Sequence, residues 1–348
     1  DQRRTKMATM FEMFYGDGAA ALLFGSEDVI AEFKGAHSIS CDFIDHYKGY
    51  GKEFDYGWEE RWVRDEGYGK IIPDAIAGFL KKYSMSMADI SKVIYPCYFT
   101  GTHKSIAKGM GIDPAKLQDN LHGICGDTGT AHPLVMFAAA LEQAKPGEKL
   151  LLAGFGQGCD VLCFEVTDKI KKFKPAKGIS GYLAAKVDFT NYLKFTKFRD
   201  LITADLGIRG EANPNSSLSA LWRKRKMILG FTGLKCTTCG TAQFPPMPVC
   251  VNPDCQSTGQ FEDYEFADKP GRVEAFTGDL LSPSVDPPAV YGLVSFTGGG
   301  RAFLDFTDCD VNQVKVGMPI RMTFRRRSHD TMRGFTGYFW KAVPQVQG

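Results

Sequence analysis

With 348 residues, 44% hydrophobic side chains and a formal net charge of +2, the chain is long enough for two or three domains and has no global pull toward nucleic acid. It contains no run of about 18 apolar residues, which excludes a membrane-spanning helix, and no charged-then-apolar leader, so no secretion signal is expected. Cys41, Cys97, Cys125, Cys159, Cys163 and Cys309 show no paired framework, which makes a reducing cytoplasm the expected compartment.

The chain opens at Asp1 without a methionine, and the expectation is a portion of a longer polypeptide. Residues 12–25 read as a buried strand entered through a glycine turn. Gly16, Gly18, Ala19, Ala20 and Ala21 in it would admit another backbone closely. Residues 37–66 are polar, aromatic and irregular. Ile72, Ile76, Phe79 and Leu80 then fall at helical spacing and predict a helix over 72–83. A short strand over 93–95 and a helix over 103–110, ended by Gly111, follow.

The stretch from Gly123 to Ala144 is apolar almost all round, so its helix should be buried on several sides. Asp127 or Thr128 suits its cap, Pro133 its first turn, and Pro146 with Gly147 its end. Residues 150–153 form a core strand that runs into Gly154, Gly156 and Gly158, with 161–166 as its return partner. Alternating helices and strands point to a layered α/β domain over 1–170. Residues 171–226 read as connecting helices: Phe195, Phe198, Leu201 and Ile202 mark one, 212–217 has linker composition, and 217–226 is a short helix.

Cys236 and Cys239, then Cys250 and Cys255, have the spacing of a four-thiolate zinc knuckle, with Gly240 and Pro253 suited to its turns. Two disulfides or four unlinked thiols are the alternatives. Four sulfurs leave no open coordination position, so such a zinc holds shape rather than doing chemistry. A ribbon is expected over 227–260 and a small β-barrel over 261–348. The barrel's runs are 271–277, 289–296, 301–306 and 320–324, with Gly298, Gly299 and Gly300 in a hairpin. The basic clusters 223–226 and 325–327 are short, and no strand interleaves aromatics with cations, so nucleic-acid binding is not expected.

Two resemblances arise from these motifs. Residues 217–223, the knuckle with Phe244, Pro245 and Pro246 inside it, Gly271-Arg272-Val273 and Val316-Gly317-Met318-Pro319 resemble the DUF35 family, a rubredoxin-like zinc ribbon with an OB-fold. That resemblance implies an accessory module that accompanies thiolase-type enzymes and organises acyl-CoA entry. Gly16-Asp17-Gly18, Gly126-Asp127-Thr128-Gly129, the Pro146-Gly147 turn, the glycines at 154, 156 and 158, and residues 191–199 resemble the C-terminal half of the thiolase superfamily. The nearest branches are the 3-hydroxy-3-methylglutaryl-CoA synthases and ketoacyl-ACP synthase III. The implied fold is the C-terminal half of a thiolase-like αβαβα sandwich, followed by the ribbon and OB-fold.

The resemblance implies a Claisen-type carbon–carbon reaction next to a coenzyme A thioester. The family's nucleophilic cysteine lies in the N-terminal half, so a missing segment or a thiolase-type partner subunit would supply it, in an oligomer. The family histidine position reads Cys97, expected to be an inert thiol, and the family asparagine position reads Asp127. Asp127 is either a pocket-wall carboxylate or a helix cap, and His132 either a proton shuttle or a core histidine; both are candidates for catalysis. His103 and His122 sit at element edges, where capping and exposed roles are commoner. Gly154, Gly156 and Gly158 either line the thioester pocket floor or make an ordinary turn. A scaffold that binds acyl-CoA and stabilises a catalytic partner is the rival reading.

Overall fold

The computed structural model describes residues 3–175, 177–203, 217–282, 284–330 and 332–345. The chain divides into two compact units, Asp1–Leu201 and Ile202–Gly348. The linker expected over 212–217 lies outside the described residues, except for Ser217. No helix among the described residues is long and apolar enough to cross a membrane.

The first unit is built on a four-stranded sheet. Its strands are β1 (Ala31–Ser40), β2 (Lys92–Ile94), β3 (Lys149–Gly156) and β4 (Gly158–Val166), in the order β1-β4-β3-β2. β2 and β3 are parallel and the other pairs antiparallel. Side chains alternate across the sheet, and both faces are covered. Val93, Leu151, Val161 and Cys163 enter one core with the helix α1 (Ile72–Lys82). Ile94, Leu150, Leu152 and Phe164 enter the other with α3 (His132–Leu141). Burial on both faces is why these strands read as continuous apolar runs. α2 (Thr100–Gly109) follows β2 and ends before Gly111, whose φ of +68° is left-handed. Short helices α4 (Gly178–Ala184) and α5 (Tyr192–Phe198) close the unit.

Three expectations for the first unit need correction. Residues 12–25 do not form a strand: after the one-turn helix Met10–Met13 the chain is extended and makes isolated bridges, such as Tyr15 with Asp127, but no ladder. A strand needs a neighbour along its length, and the close approach here is to a turn instead. A Cβ at Gly16 would lie 1.9 Å from the Cys125 carbonyl oxygen, and one at Gly18 2.5 Å from Thr128 Cβ. Gly18, Ala20 and Leu22 face inward, while Leu23 is fully exposed. Second, β1 was not foreseen and reaches into the stretch read as irregular. Its mixed polar pattern reflects an edge strand paired only with β4. Third, the helix of 72–83 begins earlier. The turn Glu60–Trp62, capped by the Glu59 carboxylate, continues through the π-wound Val63–Ile71 into α1.

In the second unit α6 (Leu218–Arg223), capped by Ser217, and α7 (Arg225–Leu229) break the single helix expected over 217–226 at Lys224. A three-stranded ribbon follows: β5 (Thr232–Cys236), β6 (Ala242–Gln243) and β7 (Phe261–Glu265), in the order β6-β5-β7. The last five strands are β8 (Gly271–Asp279), β9 (Ala289–Phe296), β10 (Arg301–Asp305), β11 (Pro319–Asp330) and β12 (Phe335–Pro344). Their order is β10-β9-β8-β11-β12, and a Phe306–Ala342 bridge returns β12 to the end of β10. That closure is the five-stranded Greek-key barrel of an OB-fold. Gly299, with φ of +113°, lets the β9–β10 turn lie against the ribbon, where a Cβ would meet the Ala242 carbonyl oxygen at 2.5 Å. Phe231, Ala242 and Phe266 join the barrel core, so ribbon and barrel share one interior.

Candidate functional site

Asn120 organises the polar interior of the first unit. Its side-chain amide donates to the Cys97 carbonyl (3.0 Å) and accepts from the His122 N–H (3.3 Å). Its own carbonyl accepts from His132 Nε2 (2.7 Å). The Thr128 N–H donates to His132 Nδ1 (3.3 Å), so His132 is the neutral Nε2–H tautomer with both nitrogens engaged. His132 is fully buried, and burial pushes its pKa down. This geometry suits a residue that positions its neighbours more than one that moves protons.

His122 stacks on His132 with ring centroids 4.4 Å apart. Both its ring nitrogens are buried without a hydrogen-bond partner among the described residues, and burial lowers its pKa to about 4. Leu121, immediately before it, is buried with φ of +57°, a conformation costly for a branched side chain.

Asp127 is also spoken for. Its Oδ1 accepts from the N–H of Gly129 (2.9 Å), the first residue of the one-turn helix that leads into α3, whose N-cap residue is Thr128. Its Oδ2 accepts from Arg3 Nη1 at 2.8 Å, and the Arg3 guanidinium lies over the Tyr15 ring at 3.5 Å. Asp55 stands 3.7 Å from Arg3 Nε. Burial raises the Tyr15 hydroxyl to about 12, so it is a neutral donor at physiological pH. Sequence reasoning missed Arg3, Tyr15 and Asn120. No local pattern ties Arg3 to a carboxylate 124 positions away.

Gly154 and Gly156 end β3 and Gly158 begins β4, so the three glycines flank a hairpin tip at Gln157. They differ in what they require. A Cβ at Gly158, where φ is +118°, would lie 2.0 Å from the Ile39 carbonyl oxygen. At Gly156 nothing stands within 4 Å, and at Gly154 only the Asp160 carbonyl oxygen, at 4.0 Å. Gly158 is thus needed by the sheet, while the other two face open space. Phe155 between them packs on Tyr68, with ring centroids 4.4 Å apart.

The cysteines of this unit carry no activated thiol that the structure reveals. Cys97 is fully buried, its thiol donates to the Phe99 carbonyl, and burial pushes its pKa to about 12. Burial does the same to Cys159 and raises Cys125 and Cys163.

In the second unit the sulfurs of Cys236, Cys239, Cys250 and Cys255 all lie within 4.8 Å of one another. Cys236 to Cys255 is 3.9 Å and Cys239 to Cys250 is 3.6 Å. Four sulfurs about 2.3 Å from a central zinc stand roughly 3.8 Å apart, whereas a disulfide needs about 2.05 Å. Gly240, with φ of +77°, turns the first pair toward the centre. The donor set and spacing fit a structural zinc.

Three family models match the chain. They are 3-oxoacyl-[acyl-carrier-protein] synthase III C terminal over residues 80–166, the ChsH2 rubredoxin-like zinc ribbon over 229–262, and the ChsH2 C-terminal OB-fold over 264–325. A hydroxymethylglutaryl-CoA synthase of Methanopyrus kandleri is 25% identical over 187 residues, which cover 52% of this chain and 53% of the relative. The Caldivirga maquilingensis synthase is 28% identical over 197 residues, covering 55% and 56%. A DUF35 domain-containing scaffold protein of Methanothermobacter thermautotrophicus is 28% identical over 130 residues, covering 36% of this chain and 94% of the relative. The chain spans about half the length of the synthases it matches. It joins a segment similar to the C-terminal half of thiolase-superfamily synthases to a segment similar to DUF35-type zinc-ribbon and OB-fold proteins.

Proposed function

We propose that the first unit supplies one half of a thiolase-type acyl-thioester site, working on a coenzyme A thioester in a Claisen-type carbon–carbon reaction. The second unit is then its zinc-stabilised scaffold. The observation that carries this reading is the open space at Gly154 and Gly156 on a hairpin whose third glycine, Gly158, is packed tightly. Two bare backbone positions that the fold does not need suit close approach of a thioester. Burial raises the pKa of the Cys97, Cys159 and Cys163 thiols, and in this reading the attacking cysteine lies on a complementary half, on this polypeptide or on a partner chain, as the similarity to thiolase-superfamily synthases implies. In this reading Asp127 and His132 hold the pocket wall, and His122 is the ring left free to meet a substrate oxygen. The experiment is to incubate the assembled protein with acetyl-CoA and locate any acyl-cysteine by mass spectrometry. Capture on the complementary half supports the reading, and no capture anywhere ends it.

A second reading is favoured by the Arg3–Asp127 pair. A carboxylate that spends both oxygens on an arginine and a backbone N–H is a structural group. The chain would then be a non-catalytic scaffold that binds acyl-CoA and stabilises an active thiolase-type partner. Kinetics separate the two in a variant that leaves this pair intact: with an inert scaffold, Gly156→Ala leaves the partner's turnover unchanged.

A further inference from the structure

Away from the glycine hairpin, a cleft of about 1020 Å³ opens between α2 and the segment 111–120. Its walls are apolar at Ile112 and Leu117, and Lys104 and Lys108 stand one helical turn apart on one side. Two polar side chains line it, and one of them, His103, carries a buried ring nitrogen without a partner among the described residues. His103 is 3% exposed; one ring nitrogen donates to the Tyr95 carbonyl, and Nε2 has no partner among the described residues. Its ring is locked against Tyr95, with centroids 4.6 Å apart. Gln118 is 6% exposed; its backbone N–H is used by Val93, but its side-chain amide meets no described partner. Buried polar groups left unpaired are costly, and a ligand that pairs them recovers that cost.

We propose that this cleft binds an adenosine phosphate, with the adenine edge on His103 and Gln118 and the phosphates at Lys104 and Lys108. With its other nitrogen donating, His103 Nε2 can only accept, while the Gln118 amide both donates and accepts. The inner end of the ligand must therefore offer a donor beside an acceptor. Adenine does so through its exocyclic amino group and N7, the edge that glutamine amides pair with, where guanine instead presents two acceptors, O6 and N7. The apolar walls suit a flat aromatic body, and the volume suits a nucleotide. At the rim Asp113 and Asp119 bring two negative charges, their carboxylates held on the 111–120 side by backbone N–H groups of Ala115 (2.9 Å) and Leu121 (2.7 Å), so the phosphates are placed on the α2 side, at the lysines. Neither lysine has a carboxylate partner among the described residues. The adenosine phosphate is either a free nucleotide or the nucleotide end of coenzyme A.

Calorimetric titration of the full chain tests the site with ADP, GDP, pyrophosphate and coenzyme A, circular dichroism checking that each variant folds. ADP is expected to bind at least about tenfold more tightly than GDP, whose carbonyl replaces the amino donor. Gln118→Leu should weaken ADP about tenfold and leave pyrophosphate unchanged; Lys104→Glu with Lys108→Glu should weaken both. Displacement of ADP by coenzyme A assigns the site to the thioester carrier, and its absence to a free nucleotide. No ADP binding at millimolar concentration, equal binding of ADP and GDP, or folded variants that bind like the parent overturns the proposal. The readout involves no thioester turnover, so its failure is separate from failure of the acyl-thioester role.

Discussion

Arg3 Nη1 donates to Asp127 Oδ2 at 2.8 Å, with the two side chains only 4% and 10% exposed. A pair this far from water is held by mutual dependence: removing one partner strands the other charge. Arg3→Met should therefore destabilise the first unit by about 3–5 kcal/mol. Denaturant unfolding measures this, and a loss below about 1 kcal/mol would show that Asp127 finds other solvation.

The buried histidines make stability depend on pH in a defined direction. His103 and His122 each fall from an ordinary value near 6.5 to about 4 on burial. Between those values the unfolded chain takes up protons that the folded one refuses, so stability falls as pH falls below about 6.5. By pH 5 the loss should be roughly 2 kcal/mol for each ring, and above about pH 7.5 the histidine contribution is flat. Urea midpoints between pH 8 and pH 5 check it. A midpoint that does not move over that range contradicts neutral burial of these rings.

The glycine hairpin separates packing from function by two single substitutions. Gly158→Ala forces a Cβ to within 2.0 Å of the Ile39 carbonyl oxygen at a φ of +118° and should cost about 2–4 kcal/mol. Gly156→Ala meets nothing within 4 Å, so the melting temperature should hardly move. If Gly156 faces the thioester, that folded variant nonetheless loses acyl capture in the assembled enzyme. Unchanged capture would reduce the hairpin to a turn.

One zinc per chain should be found by elemental analysis, bound by Cys236, Cys239, Cys250 and Cys255. Chelation, or Cys239→Ser, should unfold the ribbon and loosen the barrel that shares its core through Phe231 and Phe266, leaving the first unit folded. A Cys239→Ser protein that kept its metal and its melting profile would refute the four-thiolate site.

Much of the architecture was legible because the determining interactions are local or periodic. The knuckle needs only spacing and a turn glycine. The pairing of residues 149–156 with 158–166 follows from two apolar runs around a glycine tip, and the burial of α3 from its apolar circumference. The 12–25 stretch misled because small residues favour close backbone approach of any kind, and here the neighbour is the 125–128 turn rather than a strand. β1 was missed because an edge strand can afford Glu32 and Lys34.

The sequence by itself determined the four-cysteine cluster, the layered α/β character of the first unit and four of the barrel's strands, since each is written in spacing or alternation; the closing strand, 335–344, it did not mark. Only the tertiary structure decided what the polar residues do. Asp127 and His132 were visible as candidates, but their partners, Arg3 for one and the Asn120 carbonyl with the Thr128 N–H for the other, come from chain segments that meet only in the fold. The same holds for His103, whose unpaired Nε2 lines one cleft with Gln118 because α2 and the segment 111–120 are brought together. A hydrogen bond is a relation between two places in space, and burial, which sets its strength and every pKa here, belongs to neither residue alone.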